Sequence, residues 1–352
     1  MCRNVKNNKG DYMKHEVNLE NYQIHTDLAI DVIDKKSNLK GVKKEVNVFD
    51  NITVTDVCLD SVNSLNKSKG NYITIEFDDI TDSNNYNNVK KVVIKELNKI
   101  LKKMHIKISD KCLFIGLGNI ASTPDSLGPK VKKNIIVTSH IYKLGTLDSN
   151  YRVVSAISPG VMGTTGIETH DIIESIVKTI KPDFIIAVDA LASESIDRLN
   201  KTIQMTDTGI HPGSGIGNER RELSYNSLNV PVLAIGVPTV ASAAVIVSDT
   251  INYMYKHYEF NKEYIKNPKS KLTFNNINYL NKNITINKKD KEELFGIIGM
   301  LNEDEIKSLM SEVLNPIGYN LMVTPKEIDF VIDRLSTLIA TSLNETLHNI
   351  NY

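Results

Sequence analysis

Two acidic residues each follow a short apolar run. Asp125 lies in Ser122-Thr-Pro-Asp-Ser-Leu-Gly-Pro129, a few loop residues beyond Cys112-Leu-Phe-Ile-Gly116. Asp189 lies in Phe184-Ile-Ile-Ala-Val-Asp-Ala-Leu-Ala192, directly after Phe184–Val188. In open α/β sheets, ligands bind in the crevice beyond the carboxyl ends of the strands. Two carboxylates delivered there from separate strands could share a proton and run acid–base chemistry without metal or cofactor. Each has a structural alternative. Asp in Thr-Pro-Asp-Ser-Leu-Gly is a favoured turn or N-cap residue, and Asp189 could cap a following helix.

The elements that would carry this pair are those of an α/β fold, with a central, mostly parallel twisted sheet flanked by helices. Ile52–Val57 and Tyr72–Phe77 alternate as half-buried strands do, and residues 88–104 space Val93, Leu97, Ile100, Leu101 and Met104 on one helical face. One stretch reads as a βαβ unit: strand Arg152–Ile157, a helix over Gly166–Ile180, then strand Phe184–Val188. Thr165 and Glu168 form a candidate capping box, Pro182 ends the helix, and the two strands should pair in parallel. Further strands are expected at Thr202–Thr206 and Val232–Val237. Residues 255–290, rich in Asn, Lys and Tyr, read as a polar surface insertion. A helix near 303–314 and a C-terminal helix from Pro325, capped by Thr324 and Glu327, complete the chain. Residues 1–27 read as a removable polar segment, with a single α/β domain over 28–352.

Composition narrows the function. The 352 residues carry 42 basic and 42 acidic side chains, so no global field favours nucleic acid or an anionic membrane. Cys2, Cys58 and Cys112 are distant from one another and lack CxxC spacing, which argues for a reducing compartment and against a disulfide frame or zinc site. Cys112 reads as a small core residue. With no apolar targeting segment and no membrane-length run, a cytoplasmic protein is expected.

Three glycine-rich loops invite a nucleotide reading: Gly116-Leu-Gly-Asn119, Gly160-Val-Met-Gly-Thr-Thr-Gly166 and Gly213-Ser-Gly-Ile-Gly217. None is a GxGxxG between strand and helix, and none carries GK[ST]. Close backbone approach to a bound chain accounts for glycine equally well, with Gly163, Gly213 and Gly215 as candidate contacts. GxSxG and HExxH are absent. His211 reads as a surface-loop histidine. Arg220 and Arg221 could hold an acidic substrate side chain, Arg being the better bidentate carboxylate partner; Glu219 and Glu222 are the competing partners.

Several motifs then occur in one order: Gly116-Leu-Gly-Asn119, Thr123-Pro-Asp-Ser-Leu-Gly-Pro129, Pro159-Gly-Val-Met-Gly-Thr-Thr-Gly-Ile-Glu-Thr169 and Val188-Asp-Ala-Leu-Ala192. Gln204-Met-Thr-Asp-Thr-Gly-Ile210, Pro212-Gly-Ser-Gly-Ile-Gly-Asn218, Ala234-Ile-Gly-Val-Pro-Thr239 and Leu321-Met-Val-Thr-Pro-Lys-Glu327 follow. From about Thr26 to the C-terminal helix the chain closely resembles the germination proteases of endospore-forming bacteria, which degrade small acid-soluble spore proteins. The resemblance implies a fold related to the hydrogenase maturation endopeptidases, a homotetramer in the forespore or spore core, and synthesis as a zymogen. It also implies an atypical aspartic-peptidase mechanism without cofactor or metal, its two essential carboxylates falling on Asp125 and Asp189. Departures are an Asn/Lys-rich 255–290 region and a long N-terminal segment, which bear on the extent of the pro-segment.

Under that resemblance one carboxylate takes a proton from water while the other, protonated, serves the scissile carbonyl or the leaving amine. A coupled pair titrates as a unit, so sequence does not say which is the base. Two alternatives remain open: a metal-dependent maturation-type peptidase, and a phosphate- or nucleotide-binding protein using the glycine loops. Family substrates carry Glu before the cut bond, for which Arg220 or Arg221 is the candidate cation, with Arg198 or a lysine in reserve. Thr26-Asp-Leu-Ala-Ile-Asp31 resembles that substrate site, so self-processing is expected between Asp27 and Leu28, promoted by mild acid, with His25 beside the cut.

Overall fold

The computed structural model describes residues 27–34, 41–60, 67–213, 220–266, 287–314 and 321–349. They build one sheet of nine strands: β1 Val42–Phe49, β2 Ile52–Leu59, β3 Gly70–Glu76, β4 Cys112–Gly116, β5 Val154–Ile157, β6 Phe184–Ser193, β7 Thr202–Thr206, β8 Val232–Ser242 and β9 Met322–Val323. The order is β1-β2-β3-β7-β8-β6-β4-β5, with β9 on the end of β8. The strands of the core, β8-β6-β4-β5, are parallel, and β1, β2, β3 and β7 extend the sheet antiparallel on one side.

Parallel strands are covered on both faces and so read as continuous apolar runs. In β6, Phe184, Ile186 and Val188 enter one core with the helices Ser83–Lys103, Leu127–Lys133 and Ile328–Leu347. Ile185 and Ala187 enter a second core on the opposite face, with Ile173 and Val177 of the helix Thr169–Ile180. That period of two assigns each later β6 residue to a face.

Several expectations are corrected. β5 and β6 are parallel but not neighbours, because β4 lies between them and pairs with both. The helix after β5 begins at Thr169, not Gly166. Gly166 sits at φ +69°, a left-handed conformation that ends the short turn Met162–Thr165 and cannot continue an α-helix. The Thr165 hydroxyl lies against the carbonyls of Val161 at 3.2 Å and Ile167 at 3.1 Å, and Glu168, at the N-cap, makes no side-chain cap bond. At the C-terminus the helix begins at Ile328; Thr324 donates its hydroxyl to the Thr239 carbonyl at 2.9 Å instead of capping it, and Glu327 makes no side-chain cap bond. Residues 255–266 are not a surface insertion. They continue the helix Ala243–Lys266, where Tyr255 is buried and meets Phe295 edge-on at 5.2 Å. Residues 267–286 of the expected insertion, and 1–26 of the N-terminal segment with Thr26 and His25, lie outside the described residues.

Candidate active site

Asp125 is placed by backbone packed against backbone. β4 ends on Gly116, and the chain passes Gly118 before a single 3-10 turn, Thr123–Asp125. A side-chain carbon on Gly116 would lie 2.3 Å from the Gly128 carbonyl oxygen, and one on Gly128 would lie 2.3 Å from that of Leu117 and 2.4 Å from that of Val188. Gly118 has φ +107°, with the Asp125 carbonyl 2.1 Å from where its Cβ would stand. These glycines serve the chain's own close contacts, not a phosphate. The Asn119 N–H donates to the Asp125 carboxylate at 2.9 Å, and the buried Thr239 hydroxyl donates to the Pro124 carbonyl at 2.8 Å, tying the turn to β8. Burial pushes the Asp125 carboxyl up to about 6, against the Asn119 hydrogen bond, which favours the ionised form.

Asp189 lies within β6 rather than after it, because the strand runs on to Ser193; this removes the helix-cap reading. It is 6% exposed. By the alternation of β6 it faces the same side as Ile185 and Ala187. Its carboxyl is held well above the ordinary range, first by burial, then by the negative charges of Asp125 and Asp27, with only its neighbour's Ala190 N–H opposing. The two carboxylates reached from sequence are therefore brought within electrostatic reach of each other, and a third acid joins them.

That third acid opens the described chain. β4 stops pairing with β6 at Val188, and beyond that point the backbone of Ala192 is taken by Asp27. The Asp27 N–H donates to the Ala192 carbonyl at 3.3 Å, and the Ala192 N–H donates to the Asp27 carboxylate at 3.0 Å. Leu28, fully buried, packs with Ile30, Leu191 and Ile210. Asp31 is buried and salt-bridged to Arg198, which also holds Glu76 at 3.0 Å. The segment whose sequence resembles a cleavage site thus lies along the edge of the strand carrying Asp189.

Two residues that sequence reasoning missed meet the Asp27 carbonyl. Lys67 Nζ donates to it at 3.2 Å and Gln204 Nε2 at 3.3 Å, while Gln204 Oε1 accepts the Ala29 N–H at 2.6 Å. Burial lowers the Lys67 ammonium from its usual value, and Asp27, Asp31 and Glu194 oppose that. A signal for Gln204 existed: it interrupts the fully buried strand Thr-Ile-Gln-Met-Thr, where an amide demands partners. Lys67, in a polar stretch before β3, carried none.

The other candidates are placed as follows. Arg220 reaches Glu168 at 3.5 Å and Arg221 reaches Asp171 at 2.6 Å, so both engage acids of the chain itself; Glu222 pairs with His211 and Glu219 lies outside the described residues. His211 is exposed beside Glu222. Gly163 would meet nothing within 4 Å if given a side chain, Gly213 has φ +75°, and Gly215 lies outside the described residues. Cys112 is a core residue whose thiol burial pushes up to about 12. Among the described residues, the metal-ligand atoms that gather within 4.8 Å belong to His170, Asp171 and Glu174, a set that does not include Asp125 or Asp189, with Arg221 on Asp171 and Lys178 on Glu174. No described helix is long and apolar enough to cross a membrane.

The profile of the germination-protease peptidase family matches residues 18–351. The germination protease of Priestia megaterium is 42% identical over 360 residues, covering 96% of this chain and 97% of that one. That of Bacillus subtilis is 42% identical over 355 residues, covering 95% and 96%. A [NiFe] hydrogenase maturation protease, HycI of Thermococcus kodakarensis, overlays 41% of this chain and 80% of its own at 15% identity and a TM-score of 0.27, too slight to argue from. A near full-length match at this identity leaves one assignment: the chain belongs to the germination-protease family and is a peptidase.

Proposed function

We propose that this peptidase is a zymogen-forming endopeptidase that begins the degradation of small acid-soluble spore proteins, using Asp125 and Asp189 as a metal-free acid–base pair. The observation that carries this reading is the position of Asp27-Leu28 against the strand of Asp189, close enough for the Asp27 charge to raise the Asp189 carboxyl. Asp189, the more deeply buried, keeps the proton; Asp125, pushed up only to about 6, is ionised near neutrality. Asp125 then takes a proton from water as general base, and Asp189 donates to the leaving amine. A pair in this state needs neither cofactor nor metal.

The same reading covers the finer features. The N-terminal segment up to Asp27 is the pro-segment, removed by the enzyme itself, and 28–352 forms one peptidase domain. The substrate chain passes over Gly163, Gly213 and Gly215. An acidic substrate residue is read by Arg220 or Arg221 only if it displaces Glu168 or Asp171. The enzyme works as a homotetramer in the cytoplasm of the forespore, on a protein substrate and without contacting nucleic acid or membrane. The test is incubation of the purified protein with a small acid-soluble spore protein and mapping of the cut sites. Cuts after an acidic residue and before an aliphatic or aromatic one are expected; cuts elsewhere, or loss of cutting in EDTA with recovery on added zinc, would overturn the reading.

A further inference from the structure

The register of the sheet sets three residues in one row. Asp189 of β6 pairs with Gly236 of β8, and Gly236 pairs with Gln204 of β7. Directly paired residues project to the same face. The alternation agrees: the sequence neighbours Val188, Ile203, Met205, Ile235 and Val237 all enter the core on the opposite face. Asp189 and Gln204 therefore stand two strands apart, on the order of 10 Å, with a glycine between them. A Cβ on Gly236 would lie 2.3 Å from the Leu191 side chain, the residue that seats Leu28. The row carries an acid on one side and an amide on the other, with the Leu191 side chain lying over the glycine between them.

The chain's own segment shows how a peptide uses it. Gln204 holds the backbone on both sides of the Asp27–Leu28 bond, donating to the Asp27 carbonyl at 3.3 Å and accepting the Ala29 N–H at 2.6 Å. Lys67 donates to the same carbonyl oxygen at 3.2 Å. Gln204 is 6% exposed, so its hydrogen bonds lie in a largely dry site where donors to a developing charge count most. We propose that Lys67 and Gln204 are catalytic residues that bind the oxyanion formed at the scissile carbonyl, with Gln204 also fixing the register of any substrate through its backbone.

This inference rests on the peptidase reading given above. Water oxygen bonds to the carbonyl carbon while its proton passes to Asp125, and the C=O π pair moves onto oxygen, where Lys67 and Gln204 hold it. The pair returns, the C–N bond breaks, and the leaving nitrogen takes a proton from Asp189. The products are a carboxylic acid on the residue before the cut, which loses its proton to solvent, and a free amine on the residue after it; the proton held by Asp125 passes to Asp189 and restores the pair. Two donors aimed at one oxygen favour the tetrahedral state over the planar amide, so their loss should appear in kcat rather than in KM.

The test measures cleavage of a Glu-site peptide and self-cleavage at Asp27–Leu28 in the full chain and in Lys67→Met, Lys67→Arg, Gln204→Leu and Asp189→Asn. Lys67→Met and Gln204→Leu are each expected to lower kcat by roughly 100-fold with KM within about threefold, and Lys67→Arg to recover part of the loss. Should either variant lose its circular dichroism signature, binding of a phosphinate peptide to Lys67→Arg decides, since a displaced guanidinium should weaken the tetrahedral analogue more than the substrate. Wild-type kcat in folded Lys67→Met and Gln204→Leu, or losses confined to KM, would overturn the proposal. Cleavage by Asp189→Asn would instead overturn the underlying acid–base reading, whatever Lys67 does.

Discussion

Two glycine-rich loops border the candidate site, and they differ in what lies beside their glycines. In the loop after β4, a Cβ on Gly116, Gly118 or Gly128 would strike backbone within 2.3 Å. In the loop after β5, Gly163 and Gly166 would meet nothing within 4 Å. The first loop is compressed from inside, and its product is the position of Asp125. The second has no internal reason to lack a side chain at Gly163, which is what a surface approached from outside by another chain would require. Alike in composition, the two loops answer to different constraints.

Adding one methyl to each loop separates these constraints most sharply. Gly128→Ala places its Cβ between the carbonyls of Leu117 and Val188, both backbone and neither able to yield cheaply. A loss of more than ~4 kcal/mol in denaturant titration is expected, with activity lost alongside. A variant as stable as the wild type would mean the inner loop is not compressed.

An intermediate effect comes from the charge that the inner loop buries. The Asp125 carboxyl is raised in the folded protein, from an ordinary 3.8 to about 6. The folded state therefore holds its proton more tightly than the unfolded chain. The stability this group contributes is complete below about pH 4 and is lost as pH rises through about 6. Asp125→Asn removes that loss and should gain on the order of 2 kcal/mol at pH 8 and nothing at pH 4, while abolishing cleavage. Equal stabilities at both pH values would show that the carboxylate is not buried at cost.

The smallest effect on stability belongs to the outer loop. Gly163→Ala should stay within about 0.5 kcal/mol of the wild type, yet raise KM for a protein substrate. A large drop in stability would erase the contrast between the loops. An unchanged KM would remove Gly163 from the substrate path.

What the sequence made legible follows the same division. β4 and β7 stand where their apolar runs end, because buried strands leave a strong local pattern. That Asp125 and Asp189 come within electrostatic reach was legible from the apolar runs preceding them, although β6 runs on past Asp189 to Ser193. The neighbour of β5 was not, since sequence order favours β6 and only the sheet shows β4 inserted between them. The helix start after β5 was misplaced because nothing local distinguishes a glycine in a left-handed turn from one in a first helical turn. Gln204 and Lys67 stayed hidden for a plainer reason: their partner is Asp27, well over a hundred residues from Gln204 and forty from Lys67.

Under the proposed function, Asp125 and Asp189 together hydrolyse the chain's own Asp27–Leu28 bond. Burial raises both carboxyls, Asp125 to about 6, and the pair that shares one proton is the state that works, so lowering pH toward 6 from above should speed the reaction. The most direct measurement is N-terminal sequencing of the full chain after incubation in mild acid with EDTA, beside Asp125→Asn and Asp189→Asn. A wild-type product beginning at Leu28 and intact chains for both variants are expected. A product beginning elsewhere, or processing that persists in either variant, would contradict it.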